Sequence, residues 1–444
     1  MYFSAHSFID KFFSRVYNTK MQIVPTAYQT SAIDSIESKA LVAAFEARFG
    51  RSDEPILCGR APARVNLIGD HIDYNGGFVL PCAINRYLYV LARKKKGRTA
   101  SYYSAELDAA FECSLDEAFT YKSDLGFANY INGCLAGLQK HGAVFDSGFE
   151  LFITSSIPVG SALSSSAALE VAFILTTATL FGAAISRTET ALLGKWVENE
   201  FLGLQSGIMD QFIIANAKAH TAMLLDTSSL RCEYIPLDLN GQDSQGGAAY
   251  SLVVMNSNKP RSLVGSKYNE RKRECEKALA ILQRKFSVKT LCELVPADIP
   301  SVEDFLKAQC SDTTEAAVLF RRVRHCITEN SLVQKTVSVL RKKDVKALGA
   351  FLTESHASLK NDYETSGREL DSLVANALTV KGCIGARMTG AGFSGCAIAI
   401  VETSELERFK KTVAENYRKE CNLRADFYVC DSVDAASVGT LKNV

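Results

Sequence analysis

The chain has 444 residues, enough for two or three domains and a sizeable core without disulfides or structural metal. Apolar residues make up 47% and charged residues 22%, the balance of an ordinary soluble globular protein. The net charge of +1 gives no bulk field to attract nucleic acid or an anionic membrane, so neither is expected as a partner.

In chain order, the N-terminus "MYFSAHSFIDKFFSRVYNTK" is not a secretory signal, because Asp10, Lys11 and Arg15 interrupt any apolar core. Phe8, Ile9, Phe12, Phe13 and Val16 follow a helical period, so a packed or frayed extra helix is expected, with organelle import as the alternative. "AIDSIESKALVAAFEARFG" reads as a helix closed by Gly50. "FVLPCAI" and "YLYVLARKK" read as two strands joined by a short turn, and "GFELFITSSIP" as a strand ending before Pro158. "VAFILTTATLFGAAI" is too short for a membrane span and reads as a buried helix. "HTAMLLDTSSLRCEYIPL" and "YSLVVMNSN" look like strands, with "NGQDSQGGAAY" between them as a surface excursion. From about residue 270 to 381 the pattern is helical. It then returns to strands, "CAIAIVE" and "DFYVCDSV", around the helix "SELERFKKTVAENYRK". This mixture predicts an α+β fold rather than a doubly wound sheet. The 13 cysteines are dispersed with no CxxC pair, which fits free thiols in a reducing compartment and hence the cytoplasm.

Four stretches could carry chemistry. "PVGSALSSSAALE", 158–170, places Ser164, Ser165 and Ser166 at a helix start. One serine would serve as an N-cap. The alternative is an anion cradle, where backbone N–H groups and the helix dipole meet a phosphate. It is not a Walker A loop. "GAGFSG", 390–395, fits G-x-G-x-x-G, but a strand pattern follows where a dinucleotide site needs a helix, so the Rossmann reading is rejected. "RVNLIGDHIDYNGG" concentrates Arg64, Asp70, His71 and Asp73 beside a core-forming run. This suits a polyol ligand better than a metal, since no second His or Cys lies near. "QSGIMDQF" sets Asp210 among apolar neighbours, either as a cap or as a positioned base. Upstream, Glu198 and Glu200 are either metal ligands or a solvated face.

Together these stretches resemble the GHMP small-molecule kinases, and among them the galactokinases, with the enteric bacterial pattern nearest. "GRAPARVNLIGDHIDYNGGFVLP" is similar to the sugar signature, "PVGSALSSSAALEVA" to the phosphate loop and "RMTGAGFSGCAIAIV" to the third motif. "SGIMDQF" is similar to the segment of the catalytic aspartate. Further similar stretches are "NSNKPRSLVGSKYNERKRECE", "RVRHCITEN" and "ESHASLKNDYE". The similarity runs from about residue 30 to the end.

The resemblance implies a two-lobed fold with the active site in the cleft. An extension, 1–28, precedes an N-terminal lobe, 29–208, and a C-terminal lobe, 209–425; a tail from about 426 to 444 returns to the first lobe. It implies ATP-dependent phosphorylation of the 1-hydroxyl of α-D-galactose, with ATP as co-substrate and Mg²⁺ as cofactor, in a monomer. Asp210 and Arg64 match the catalytic pair. Arg64, Asp70, His71, Asp73, Gly207, Asp210 and Tyr268 match sugar-site residues. Pro158, Gly160, Ser161, Ala162, Leu163, Ser164, Ser165, Ser166 and Gly392 match the ATP site, and Ser166 and Glu198 the metal ligands. Three positions depart from the family pattern: Asp70 stands for Glu, Ala162 for Gly and Ser394 for Gly. The shorter Asp70 predicts a looser sugar contact, and Ala162 predicts strain if the loop needs a positive φ there. Two other readings stand beside the kinase. One is a non-catalytic galactose and ATP sensor, which would need neither the serine run nor Asp210. The other is a kinase for a related sugar such as N-acetylgalactosamine, for which "QSGIMDQF" lacks extra small residues.

Overall fold

The computed structural model describes residues 35–158, 160–239, 249–260 and 264–441. The expected helix in 1–28 and most of the excursion at 240–250 lie outside the described residues.

Helix α1, Ser35–Phe49, leads into strand β1, Ile56–Asn66. Strands β2, Phe78–Val79, β3, Pro81–Lys95, β4, Thr99–Ser104, and β5, Ala109–Ser114, follow. Then come α2, Ala128–Lys140, β6, Gly148–Ser155, α3, Ser165–Leu180, and α4, Arg187–Trp196. A π-helical turn, Val197–Phe201, precedes α5, Met209–Asn216, and the hairpin β7, Thr221–Asp226, with β8, Cys232–Pro236. Strand β9, Tyr250–Asn256, opens the helical stretch: α6, Val264–Leu282, α7, Ile299–Gln309, α8, Thr313–Arg341, α9, Val345–Asn361, and α10, Arg368–Thr379. Strands β10, Cys383–Thr389, and β11, Cys396–Glu402, helix α11, Leu406–Cys421, and strands β12, Asp426–Cys430, and β13, Ser437–Leu441, complete the chain.

Three sheets result, ordered β13-β1-β3-β6-β4-β5, β10-β11-β9-β12 and β2-β7-β8. The mixed α+β class is as the sequence predicted. One expectation changes. "FVLPCAI" and "YLYVLARKK" are not two strands joined by a turn: Pro81–Lys95 runs as one strand, while Phe78–Val79 pairs with β7 in another sheet. The reason lies in β3 itself. Leu88, Val90 and Ala92 face the main core, while Tyr89 and Leu91 face a second cluster under α1. A strand buried on both faces shows no polar alternation, so its length is hidden in the sequence. Strands β1, β4 and β5 and helices α2 and α4 have no counterpart among the sequence expectations.

Helix α3 lies across β1 and β3. Gly59 in β1 permits this approach, because a Cβ there would stand 1.9 Å from Thr176 Oγ1 of α3. This contact fixes the helix whose N-terminus opens on the cleft. At the far end of the chain, β12 pairs with β9, and only β13 crosses to pair with β1. Among the described residues no helix is long and apolar enough to cross a membrane.

Candidate active site

Strand β1 delivers Arg64 to a cleft of about 310 Å³ lined from both the six-stranded sheet and the helices beyond it. Arg64 Nε and Nη2 donate to Asp210 Oδ1 and Oδ2, each at 2.7 Å, in a fork-to-fork pair. Arg64 Nη1 donates to the Ala162 carbonyl at 2.9 Å. Burial opposes the Arg64 charge, but the Asp210 carboxylate outweighs it, and the guanidinium pKa rises above its ordinary value. Asp210 sits in the first turn of α5, and its Oδ2 also accepts from the Ser164 hydroxyl.

The serine run is not spent on capping. Ser164 occupies the N-cap of α3 with a left-handed backbone, φ 62°, and makes no side-chain cap bond. Its hydroxyl turns to Asp210 instead, while the Ser166 hydroxyl donates to Glu198 Oε1 at 3.0 Å. Ala162, Ser164, Ser165 and Ser166 line the cleft; Pro158, Gly160, Ser161 and Leu163 do not. Ala162 has φ 64°, so the loop does hold a left-handed residue there, at a cost of roughly 1–2 kcal/mol.

Asp73, Gly207 and Tyr268 also line the cleft. Gly207 admits no side chain, since a Cβ would lie 1.6 Å from Asp73 Oδ2. Burial, and then the Asp210 charge, push the Asp73 carboxyl up to about 6. Burial also raises the Tyr268 phenol well above its usual range, which keeps it a hydroxyl donor. His71 is buried at φ 65°, and its Nδ1 is 2.9 Å from the Tyr74 hydroxyl. Burial, and then His325, lower its pKa to about 3, so it is a neutral imidazole. Asp70 lines the cleft by position, yet its carboxylate is engaged within the protein: Oδ1 accepts from the Gly390 amide at 3.0 Å and Oδ2 lies 2.6 Å from Arg387 Nη2. Gly392 stands away from the cleft, packed on the Thr365 carbonyl; Gly390 and Ala391 line it instead.

The donor set at Ser166 and Glu198 suits a hard cation. Both offer oxygen, and both line the cleft. Among the described residues no group of three or more His, Cys, Asp or Glu could hold a metal alone, so substrate phosphates must supply further ligands, as Mg²⁺ sites commonly require. Glu200, in the same turn, is exposed and outside the cleft. Sequence reasoning missed Arg387, Tyr130, Gln205, Ser206 and Asn269. The last four line the cleft without charge to mark them, although Gln205, Ser206 and Asn269 lie inside stretches already quoted. Arg387 stood in plain view at the head of "RMTGAGFSG".

Three family models match the chain: the galactokinase galactose-binding signature at residues 43–94, the GHMP kinase N-terminal domain at 129–218 and the GHMP kinase C-terminal region at 336–419. The galactokinase of Clostridium perfringens is 40% identical over 396 residues, which cover 89% of this chain and 97% of that one. That of Staphylococcus carnosus is 41% identical over 383 residues, 86% and 94% of the two chains. The crystal structure of Lactococcus lactis galactokinase complexed with galactose superposes with a TM-score of 0.83 at 36% identity, covering 90% of this chain and 99% of the other. The mevalonate kinase of Methanococcus jannaschii, at TM-score 0.60 and 18% identity, shares the fold. On these matches, the chain belongs to the galactokinase family of the GHMP kinases.

Proposed function

We propose that this cleft transfers the γ-phosphoryl group of ATP to the 1-hydroxyl of α-D-galactose, releasing ADP and galactose 1-phosphate. The chain is an enzyme of the galactokinase family, and its activity is ATP-dependent galactose phosphorylation. The observation that carries the residue assignment is the Arg64–Asp210–Ser164 constellation at the N-terminus of α3. It joins an anion-attracting helix end to a carboxylate fixed by a guanidinium.

Phosphoryl transfer leaves the protein little covalent work; positioning and charge neutralisation dominate. Asp210 faces the sugar's anomeric hydroxyl and accepts its proton as the new O–P bond forms and the bond to ADP breaks. Arg64 orients Asp210 through its two-pronged hydrogen bond and stabilises charge on the group in flight. Asp73 accepts from sugar hydroxyls, Tyr268 donates, and neutral His71 with the Gly207 backbone completes the sugar contacts. Ser164, Ser165 and Ser166, with Ala162 and the Gly390–Ala391 loop, receive the ATP phosphates. Ser166 and Glu198 would hold Mg²⁺, which offsets triphosphate charge when bound.

The lobes divide near Ile208, and the tail returns to the first lobe through Asp431–Val433 against β3 and through β13 against β1. The protein works as a monomer in the cytoplasm, a placement supported by its 13 free cysteines. The test is ADP release against a panel of free sugars, with and without Mg²⁺. Galactose-dependent release that needs Mg²⁺ supports the reading. Release that prefers N-acetylgalactosamine, or galactose binding without any release, contradicts it.

A further inference from the structure

Arg387 is a cation with no exposed surface and no place in the chemistry above. It lies on β10, in the four-stranded sheet, and reaches across to the end of β1, in the six-stranded one. Its Nη1 donates to the carbonyls of Asn66 at 3.2 Å and Leu67 at 2.9 Å. Its Nη2 stands 2.6 Å from Asp70 Oδ2 and 3.7 Å from Glu329 Oε1. Glu329 is itself spent on the Gly69 amide and the Ser355 hydroxyl. Two residues on, Thr389 Oγ1 exchanges hydrogen bonds with Asn66, accepting from its amide at 2.9 Å and donating to its carbonyl at 3.0 Å.

The chain of contacts continues into the active site. Asp70 Oδ1 accepts from the Gly390 amide. Gly390 lies against the Arg64 fork: a methyl placed on it would be 3.5 Å from Arg64 Nη2 and 3.0 Å from the Ala162 carbonyl. Arg64 in turn grips Asp210. A buried ion pair is a poor source of net stability, because desolvation offsets most of the attraction, and an apolar filling would serve a core as well. A fixed guanidinium does something apolar atoms cannot: its Nη1 donates to the Asn66 and Leu67 carbonyls while its charge, at Nη2, holds the Asp70 carboxylate by ion pairing alone, so it favours one relative placement of the two segments.

We propose that Arg387 is a positioning residue for phosphoryl transfer. By holding Asp70, and through Asp70 the Gly390 loop, it fixes the wall against which Arg64 presents Asp210. In this chain Asp70 is therefore turned inward to Arg387 rather than outward to the sugar. The inference rests on the galactose-kinase reading and names how that site is held.

The experiment compares wild type, Arg387→Met, Asp70→Asn and the double variant by melting temperature, by galactose Kd and by kcat at saturating ATP and galactose. Arg387→Met lowers both Tm and kcat, the latter roughly ten- to a hundredfold, the scale of a small misplacement of reacting groups. In the double variant no unpaired carboxylate remains at position 70, so Tm recovers. The side-chain amide introduced there still accepts from Gly390, but the link to position 387 is gone, so kcat stays low while galactose Kd stays near wild type. A double variant that regains kcat together with Tm overturns the proposal, because Arg387 would then only neutralise Asp70. An Arg387→Met protein with wild-type kcat overturns it equally, and if that variant does not fold, the double variant decides alone. Wild type that turns over while the variants match it defeats only this inference. Wild type that never turns over defeats the function and this inference with it.

Discussion

Asp210 carries three hydrogen bonds from two side chains, and all three need its charge to be strong. Asp210→Asn keeps the shape and loses the charge. Turnover should fall by about 10²- to 10⁴-fold, the usual worth of a general base, while galactose Kd changes little. Single-turnover kinetics beside equilibrium binding checks this, and a variant near wild-type turnover removes Asp210 from the mechanism. Asp73 gives a pH prediction. Its folded pKa is about 6 against an ordinary 3.8, so the native state holds its proton more tightly than the unfolded chain between those values. Its contribution to stability is therefore fully present below about 4 and is lost as pH rises through 6. Sugar capture runs the other way, since only the carboxylate accepts from two hydroxyls. We expect kcat/KM for galactose to fall as pH drops below about 6, with this limb absent in Asp73→Asn. A pH–rate profile flat down to about pH 5 would place the Asp73 pKa lower than its surroundings imply.

Helix α3 binds the two halves of the account, with its N-terminus in the cleft and its body on β1. Ser166 does not serve as a cap, since the N-cap is Ser164 and the Ser166 hydroxyl goes to Glu198. Ser166→Ala should therefore raise the Mg²⁺ concentration for half-maximal rate and leave stability within a few tenths of a kcal/mol of wild type, not the ~1 kcal/mol of a lost cap. Titrating Mg²⁺ alongside thermal melts separates the two. Farther along the helix, Gly59→Ala pushes a methyl into Thr176 Oγ1. Overpacking of this kind costs about 1–3 kcal/mol, and Thr176→Ala in the same chain should return only part of the lost Tm, because the Ala172 carbonyl still stands 2.9 Å from the added methyl. If Gly59→Ala alone melts like wild type, α3 is not seated as described. At this scale the sequence was partly legible. Long helices and the β7–β8 hairpin announced themselves by period and turn residues. The double-sided burial of β3 did not, because a strand covered on both faces loses the alternation that marks it.

At the scale of the molecule, the cleft exists because ends of two different sheets meet. Arg64 comes from the six-stranded sheet and Gly390 from the loop after β10 of the four-stranded one. The motifs named these positions because each carries a chemistry-bearing residue in a glycine- or serine-rich frame. The roles of Arg387, Tyr130 and Asn269 were illegible, since what matters about them is which distant chain segment they face. Asp70 was legible as a departure from the family, but its inward partner Arg387, far along the chain, was not. Position 162 was legible as a possible site of strain, and φ 64° bears that out. The central claim is that this cleft phosphorylates galactose at its 1-hydroxyl. The most direct measurement is ³¹P NMR of the product formed by wild type from ATP, Mg²⁺ and galactose. The account predicts one new phosphomonoester, coupled to the anomeric proton in the α configuration and absent with Asp210→Asn. A phosphate on any other hydroxyl, or inorganic phosphate alone, would contradict it.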